Sequence, residues 1–261
     1  MTQVTQQIII FIFGLCAGSF LNVCIYRLPR AESIIMPGSH CPYCNNKIRF
    51  YDNIPLISYI LLKGRCRDCN VKISFKYFFV ELLTAVIFLF SFKYYGISLQ
   101  FFIYNLFFVL LLIAAFVDMK YRIIPDEVSL GGIILGLALS FIFPQIQNVN
   151  SHFSGLLLSV IGALIGAAIT YLTGLLGSFL FKKEAMGFGD VKLMAAVGAF
   201  LGWALALIAF FTAPFFGLIY GIFILVKKKS HLVPYGPFLS LGAVIALLFG
   251  KKILSFLVGV Y

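Results

Sequence analysis

Long apolar runs separated by short polar connections leave this chain few ways to fold. Runs of near-spanning length are read at 7–26, 77–95, 99–117, 128–144, 153–181, 190–202, 203–226 and 237–258. A helix needs about 20 apolar residues to cross the hydrocarbon core of a bilayer. The sixth run is short and abuts the seventh, so the pattern holds seven or eight spans. Inside a bilayer every backbone N–H and C=O must be satisfied within the chain, which favours helices. The chain is 62% hydrophobic and 11% charged, against roughly 45–50% and 25% in soluble domains. These features predict an all-α polytopic membrane protein with about eight transmembrane helices in the lipid bilayer. The first run lacks a basic segment ahead of it and follows polar Thr2, Gln3, Thr5, Gln6 and Gln7, so no cleavable signal peptide is expected.

Basic residues set the expected orientation. Of the 20 Lys and Arg, 17 fall in the segments 27–76, 118–127, 182–192 and 227–236, leaving Lys93, Lys251 and Lys252 for the other side. Cytoplasmic loops carry the excess of Lys and Arg. The 17-residue side is therefore read as cytoplasmic and the N-terminus as outside, an alternation that closes with eight spans. The net charge of +11 is accounted for by these loops. No basic face interleaved with aromatics lies outside the spans, which argues against a nucleic-acid partner.

The one long polar segment divides the chain into a first transmembrane helix (1–27), a small cytoplasmic subdomain (28–76) and a membrane domain (77–261). The subdomain carries Cys41-Pro42-Tyr43-Cys44 and Cys66-Arg67-Asp68-Cys69, with 21 residues between the pairs. Two C-x-x-C pairs at this separation match a closed, structural four-thiolate zinc site. Two disulfides are the alternative, which a cytoplasmic location disfavours. About 50 residues make a poor core, so metal is expected to fold this segment. His40 adjoins Cys41, but four thiolates already fill the shell.

Carboxylates at membrane depth are the candidate chemistry. An acid in the bilayer costs about 2.5–3.5 kcal/mol even on lenient insertion scales, so its default reading is function. Asp118 closes the run Ala114-Ala115-Phe116-Val117, and Asp190 follows Gly187-Phe188-Gly189 where another apolar run begins. Two acids at one depth can share a proton and activate a water. Gly187 and Gly189 let an extended peptide or another backbone approach without a Cβ in the way. Lys192 either favours an ionised carboxylate nearby or belongs to the basic loop. Glu81, about one turn inside the second span, either pairs with a basic side chain or meets substrate. Asp52, in the turn Asp52-Asn53-Ile54-Pro55, either shapes that turn or receives a basic part of the substrate. Asp126, after Pro125, is placed to cap the helix near Val128. Gly14, Ala17, Gly18 and Ser19 in the first span, and the glycines of 153–181, read as close helix packing. Asn22 and Arg27 are polar enough to line a cavity, although Arg27 can also snorkel.

Taken in order, Gly18-Ser19-Phe20-Leu21-Asn22-Val23 with Tyr26-Arg27-Leu28-Pro29, the two C-x-x-C pairs, Asp52-Asn53-Ile54-Pro55, Asp118 with Ile124-Pro125-Asp126, Gly187-Phe188-Gly189-Asp190 and Pro234-Tyr235-Gly236-Pro237 resemble the bacterial type IV prepilin peptidases. The resemblance spans nearly the whole chain. It implies a GxGD-type membrane aspartic endopeptidase with Asp118 and Asp190 in the positions of the catalytic pair. The substrates it implies are prepilins or pseudopilins, cut between a short basic leader and an apolar helix at the cytoplasmic face of the bacterial inner membrane. It also implies N-methylation of the new first residue with S-adenosylmethionine. Residues of no glycine-rich strand-loop-helix point to that cofactor, so it rests on resemblance alone. Tyr235 departs mildly from the pattern, since many relatives carry Phe there.

Two rival functions fit the composition. One is a secondary transporter using Asp118, Asp190 and Glu81 as a proton or cation relay, although no paired broken segments in matching halves are evident. The other is a scaffold of a secretion machine that docks through the zinc subdomain.

Overall fold

A computed structural model of the chain describes residues 2–182, 186–226 and 234–258. Among them there are nine α-helices, short 3₁₀ turns and no named strand. The long helices are α1 (Gln3–Arg27), α3 (Phe75–Tyr95), α4 (Leu99–Tyr121), α5 (Asp126–Ile142), α6 (His152–Phe181), α7 (Phe188–Leu201), α8 (Trp203–Val226) and α9 (Gly236–Val258); α2 is the short helix Ile57–Leu61. These eight long helices match the eight apolar runs. Six of them, all but α5 and α7, are long and apolar enough to cross a membrane on their own. Lys183 and Lys227, Lys228 and Lys229, which enter the charge count, lie outside the described residues.

The chain forms two compact units, Met1–Val109 and Leu110–Tyr261. In the first, α1 packs on α3 through glycines one helical turn apart. A Cβ on Gly14 would sit 2.7 Å from Ala85 Cα, and one on Gly18 would sit 2.7 Å from Glu81 Cα. Small residues thus let two backbones touch where lipid supplies no hydrophobic drive for association. The polar connection after α1 is gathered by Arg27, whose buried guanidinium donates to the carbonyls of Ser33 (2.8 Å), Pro37 (2.7 Å) and Gly38 (3.3 Å). Arg27 is therefore neither snorkelling nor lining a cavity; it folds the chain between α1 and the cysteines. Asn22 donates to the Tyr77 carbonyl at 3.0 Å and ties the C-terminal part of α1 to the start of α3.

In the second unit α7 is the central element. Every residue from Leu193 to Leu201 is buried, and α7 packs against α5, α6, α8 and α9. Its 14 residues span only about 21 Å. Contact with α6 is backbone to backbone, since a Cβ on Gly162 or Gly198 would run into the other residue's carbonyl. The last carbonyls of a helix have no partner within it, and here buried side chains supply them. Ser159 Oγ donates to the Ala199 carbonyl at 2.7 Å, and Gln147 Nε2 donates to the same carbonyl at 3.1 Å and to that of Phe200 at 3.4 Å. Gly202, at φ +78°, turns the chain into α8 beside the Gln147 amide.

Candidate active site and metal centre

Two buried aspartates converge within the second unit. Asp118 lies in the last turn of α4 and Asp190 in the first turn of α7, with 6% and 8% of their surface exposed. Their carboxylates are within electrostatic reach of each other. Each also takes a backbone N–H at the N-terminus of a helix. Asp118 Oδ2 accepts from Gly236 N at 2.8 Å, where α9 begins. Asp190 Oδ2 accepts from Gly187 N at 3.2 Å, at the mouth of α7. Unpaired N–H groups and the aligned peptide dipoles make helix N-termini favourable places for negative charge. The pair is thus held by fixed dipoles in a site with little access to water.

Glycine at 236 is required by this approach, because a Cβ there would lie 2.9 Å from Asp118 Oδ2 and 3.2 Å from its Cγ. Gly189 serves a different contact: a Cβ on it would sit 3.2 Å from Ile124 Cβ, so it lets α7 abut the connection after α4. Gly187 is exposed and holds the Asp190 carboxylate through its N–H. Tyr235, just ahead of α9, is half-buried, and its phenol is pushed up to about 12 by burial and by the nearby Asp190. Arg122, at φ +58°, lies within electrostatic reach of Asp118.

The other candidate side chains have separate partners. Lys192 pairs with Asp126 at 2.7 Å, its ammonium 5.4 Å from the Phe188 ring centroid. Asp126 does not cap α5 as its position suggested; Pro125, with its fixed φ, precedes the first turn and Asp126 is the first helical residue. In the first unit, Glu81 Oε2 accepts from the Leu56 N–H at 2.9 Å, with the Ser19 side chain nearby. Asp52 takes two hydrogen bonds from Arg67, at 2.8 and 2.6 Å, and these hold its carboxyl below the usual carboxylate range. Asp52 therefore braces the cysteine segment from within. The Gly236 N–H and the Gln147 cap on α7 were not read from sequence; the only signal was the Pro-Tyr-Gly-Pro run for the first and a lone Gln at a helix-connecting turn for the second.

The four cysteines meet in the first unit. Their sulfurs all lie within 4.8 Å of one another, and Cys41 Sγ and Cys69 Sγ are 3.8 Å apart. Four thiolates at about 2.3 Å from a tetrahedral zinc stand about 3.8 Å apart along each edge, so the cluster fits that ion. Both pairs sit on equivalent turns. Asn45 N donates to the Cys41 carbonyl and Asn70 N to that of Cys66, with Asn45 and Asn70 at φ +58° and +56°. Each turn is closed by a single antiparallel bridge, His40 with Lys47 and Arg65 with Lys72. Asn is among the few residues that tolerate the left-handed conformation these turns need. His40 Nδ1 lies 3.0 Å from the Gly38 carbonyl, outside the cluster.

Residues 105–222 match the type IV leader peptidase family, and residues 12–95 match the bacterial peptidase A24 N-terminal domain. The prepilin leader peptidase/N-methyltransferase of Legionella pneumophila is 33% identical, across 97% of this chain and 95% of its own length. That of Bacillus subtilis is 34% identical, across 95% of this chain and 96% of its own. That of Dichelobacter nodosus is 35% identical, across 93% and 91%. No solved structure matches the chain at a significant level.

Proposed function

Since the chain belongs to the type IV leader peptidase family, we propose that it is a multi-pass membrane aspartic endopeptidase that removes the leader of type IV prepilins and pseudopilins. The observation that carries this reading is the pair Asp118 and Asp190, buried together and each anchored to a helix N-terminus. Close carboxylates do not both ionise cheaply, so the pair carries one proton and one negative charge. The ionised member takes a proton from a water, whose oxygen attacks the scissile carbonyl carbon. The neutral member donates a hydrogen bond to the developing oxyanion. Proton return to the leaving nitrogen breaks the C–N bond, giving a free carboxylate on the leader and a free amine on the pilin. The titration belongs to the pair rather than to either residue.

The substrate-contact roles of Gly187 and Gly189 reduce to shaping the mouth of α7, beside which an extended peptide would lie. Residues 28–76 act as a structural zinc subdomain through Cys41, Cys44, Cys66 and Cys69, and 77–261 as the peptidase domain. The excess of Lys and Arg puts the subdomain and the aspartates on the cytoplasmic side, with the N-terminus outside. The relatives' names also carry N-methyltransferase activity, and we extend it to this chain. S-adenosylmethionine would supply the methyl group to the amine freed by cleavage, and no described residues are assigned to it. A carboxylate-relay transporter is disfavoured by the relatives and by Glu81, whose carboxylate already holds Leu56.

The test is incubation of the purified protein with a prepilin in detergent, followed by mass spectrometry of the pilin N-terminus. The expected product lacks the leader and carries one added methyl when S-adenosylmethionine is present. An unshortened substrate would overturn the peptidase reading, and a shortened but unmethylated one would overturn only the second activity.

A further inference from the structure

The cysteine-bearing segment reads as the soluble part of the chain, yet its short helix faces the wrong way for water. In α2 the buried residue is Ser58, whose hydroxyl donates to the Tyr51 carbonyl at 2.9 Å and accepts from Ile54 N at 3.1 Å. The exposed residues are apolar: Ile57 at 54%, Ile60 at 64% and Leu61 at 74%, and Ile54 in the extended segment before the helix is exposed too. Positions 57, 60 and 61 recur at helical spacing, so they make one outward face, the inverse of a soluble amphipathic helix.

The same helix is fixed at a defined level of a membrane span. Leu56, immediately before α2 and at φ +59°, donates its N–H to Glu81. Glu81 is six residues past the start of α3, about 9 Å along its axis, and helical side chains lean back toward the N-terminus. Leu56 therefore stands beside the first two turns of α3. Ring contacts repeat the placement: Tyr59 lies 6.2 Å from Phe75 and 5.5 Å from Phe78 between centroids, and Phe75 stacks on Phe78 at 5.3 Å. On α3 itself Phe75 and Phe79 are exposed, as lipid-facing residues of a span are. The exposed face of α2, held beside these turns, is apolar like that of α3. Lys63, Arg65, Lys72 and Lys76, all exposed, follow or flank it, where cationic groups meet lipid phosphates. Apolar side chains below a collar of Lys and Arg are the pattern of a segment lying in the interface.

We infer that Ile54–Leu61 is an interfacial element that seats its Ile57, Ile60 and Leu61 face in the bilayer at the headgroup–hydrocarbon border, so that lipid covers the exposed side of the cysteine subdomain. Glu81 acts as the latch that sets its depth. This inference stands apart from the peptidase reading and depends only on α3 being a span.

The chain has one tryptophan, so Trp203→Phe gives a dark background for a reporter. In the full-length protein reconstituted into vesicles, Leu61→Trp and, independently, Ile60→Trp are read for quenching by lipid brominated near the headgroup end of the acyl chain and by aqueous acrylamide. Phe79→Trp marks the lipid-facing surface of α3. Bromolipid quenching of Leu61→Trp or Ile60→Trp close to that of Phe79→Trp, and several-fold above acrylamide quenching, is expected. Acrylamide quenching without bromolipid quenching would place the helix in water and overturn the inference. Protection from both quenchers would show that protein covers it, a second copy or a bound substrate, and would overturn it equally.

Discussion

Gly236 donates its N–H to Asp118 Oδ2 at 2.8 Å across 118 positions of sequence. The contact joins the end of one helix to the beginning of another and leaves no room for a side chain. In Gly236→Ala a methyl placed 2.9 Å from that oxygen forces α9 or the carboxylate aside, at a cost of about 1–3 kcal/mol for overpacking. Misplacement by a fraction of an ångström at a catalytic pair lowers turnover more than it lowers stability. The expected result is prepilin cleavage reduced by at least about tenfold in kcat, with KM and membrane insertion little changed.

Asp118→Asn and Asp190→Asn keep shape and remove the shared proton. A positioned acid or base contributes about 10²–10⁴-fold, so each variant is expected to lose at least about a hundredfold in leader removal while purifying as a folded protein with its metal. Mass spectrometry of pilin after a fixed incubation measures this, and unchanged processing in either variant would remove the pair from the mechanism.

The residues of the candidate site stand out in the sequence. Asp118 and Asp190 stand out because an acid at the end of an apolar run is costly to place there, and the cysteines because their spacing is a metal pattern. Helix count followed from apolar run length. What the sequence could not show was who partners whom over long separations. Lys192 sits two residues from Asp190 yet pairs with Asp126, because side chains two apart on a helix face different directions. Asp52 reads as a turn residue and proves to be held by Arg67, a contact made by the way the cysteine turns fold back. Gly236 stands in the sequence only as part of the Pro234-Tyr235-Gly236-Pro237 run, and its use as a donor to Asp118 depends on how α4 and α9 pack.

Tyr235 offers a test at high pH. Its phenol is raised to about 12 by burial first and Asp190 second, whereas a free tyrosine ionises near about 10. A raised folded value means that the folded state holds the proton more tightly. The contribution is complete below about 10 and is lost as pH climbs from there through about 12. Tyr235→Phe is expected to show a shallower loss of stability over that window, measured by thermal unfolding in detergent, and unchanged cleavage at neutral pH to within a few-fold. An identical alkaline profile in both proteins would refute the assignment.

Metal removal should act through folding. Structural zinc supplies the folding free energy of small thiolate subdomains, and residues 28–76 have few buried apolar side chains, Cys41 being one of them. Cys41→Ser, or treatment with a strong chelator, is expected to abolish stoichiometric zinc and to lower the midpoint of unfolding and the yield of active protein together. Full stability in zinc-free protein would reject a structural role for the cluster.

Gln147 is the sharpest probe of how the short helix α7 is held. Its amide donates to the carbonyls of Ala199 and Phe200 and to Ser140 Oγ, all buried. Gln147→Leu matches the volume closely but leaves the Phe200 carbonyl without this donor, while Ser159 still serves Ala199. Stranding one buried acceptor costs about 1–3 kcal/mol, so a lower unfolding temperature is expected. Asp190 stands at the opposite end of α7, so loss of the C-terminal hold lets the helix shift along its axis and spoils the pairing with Asp118. Cleavage should then fall by more than the loss of folded protein explains, and Gln147→Asn, a shorter amide, should recover part of the stability. Equal activity per folded molecule in Gln147→Leu and the parent protein would show that the cap stabilises α7 without setting the depth of its aspartate.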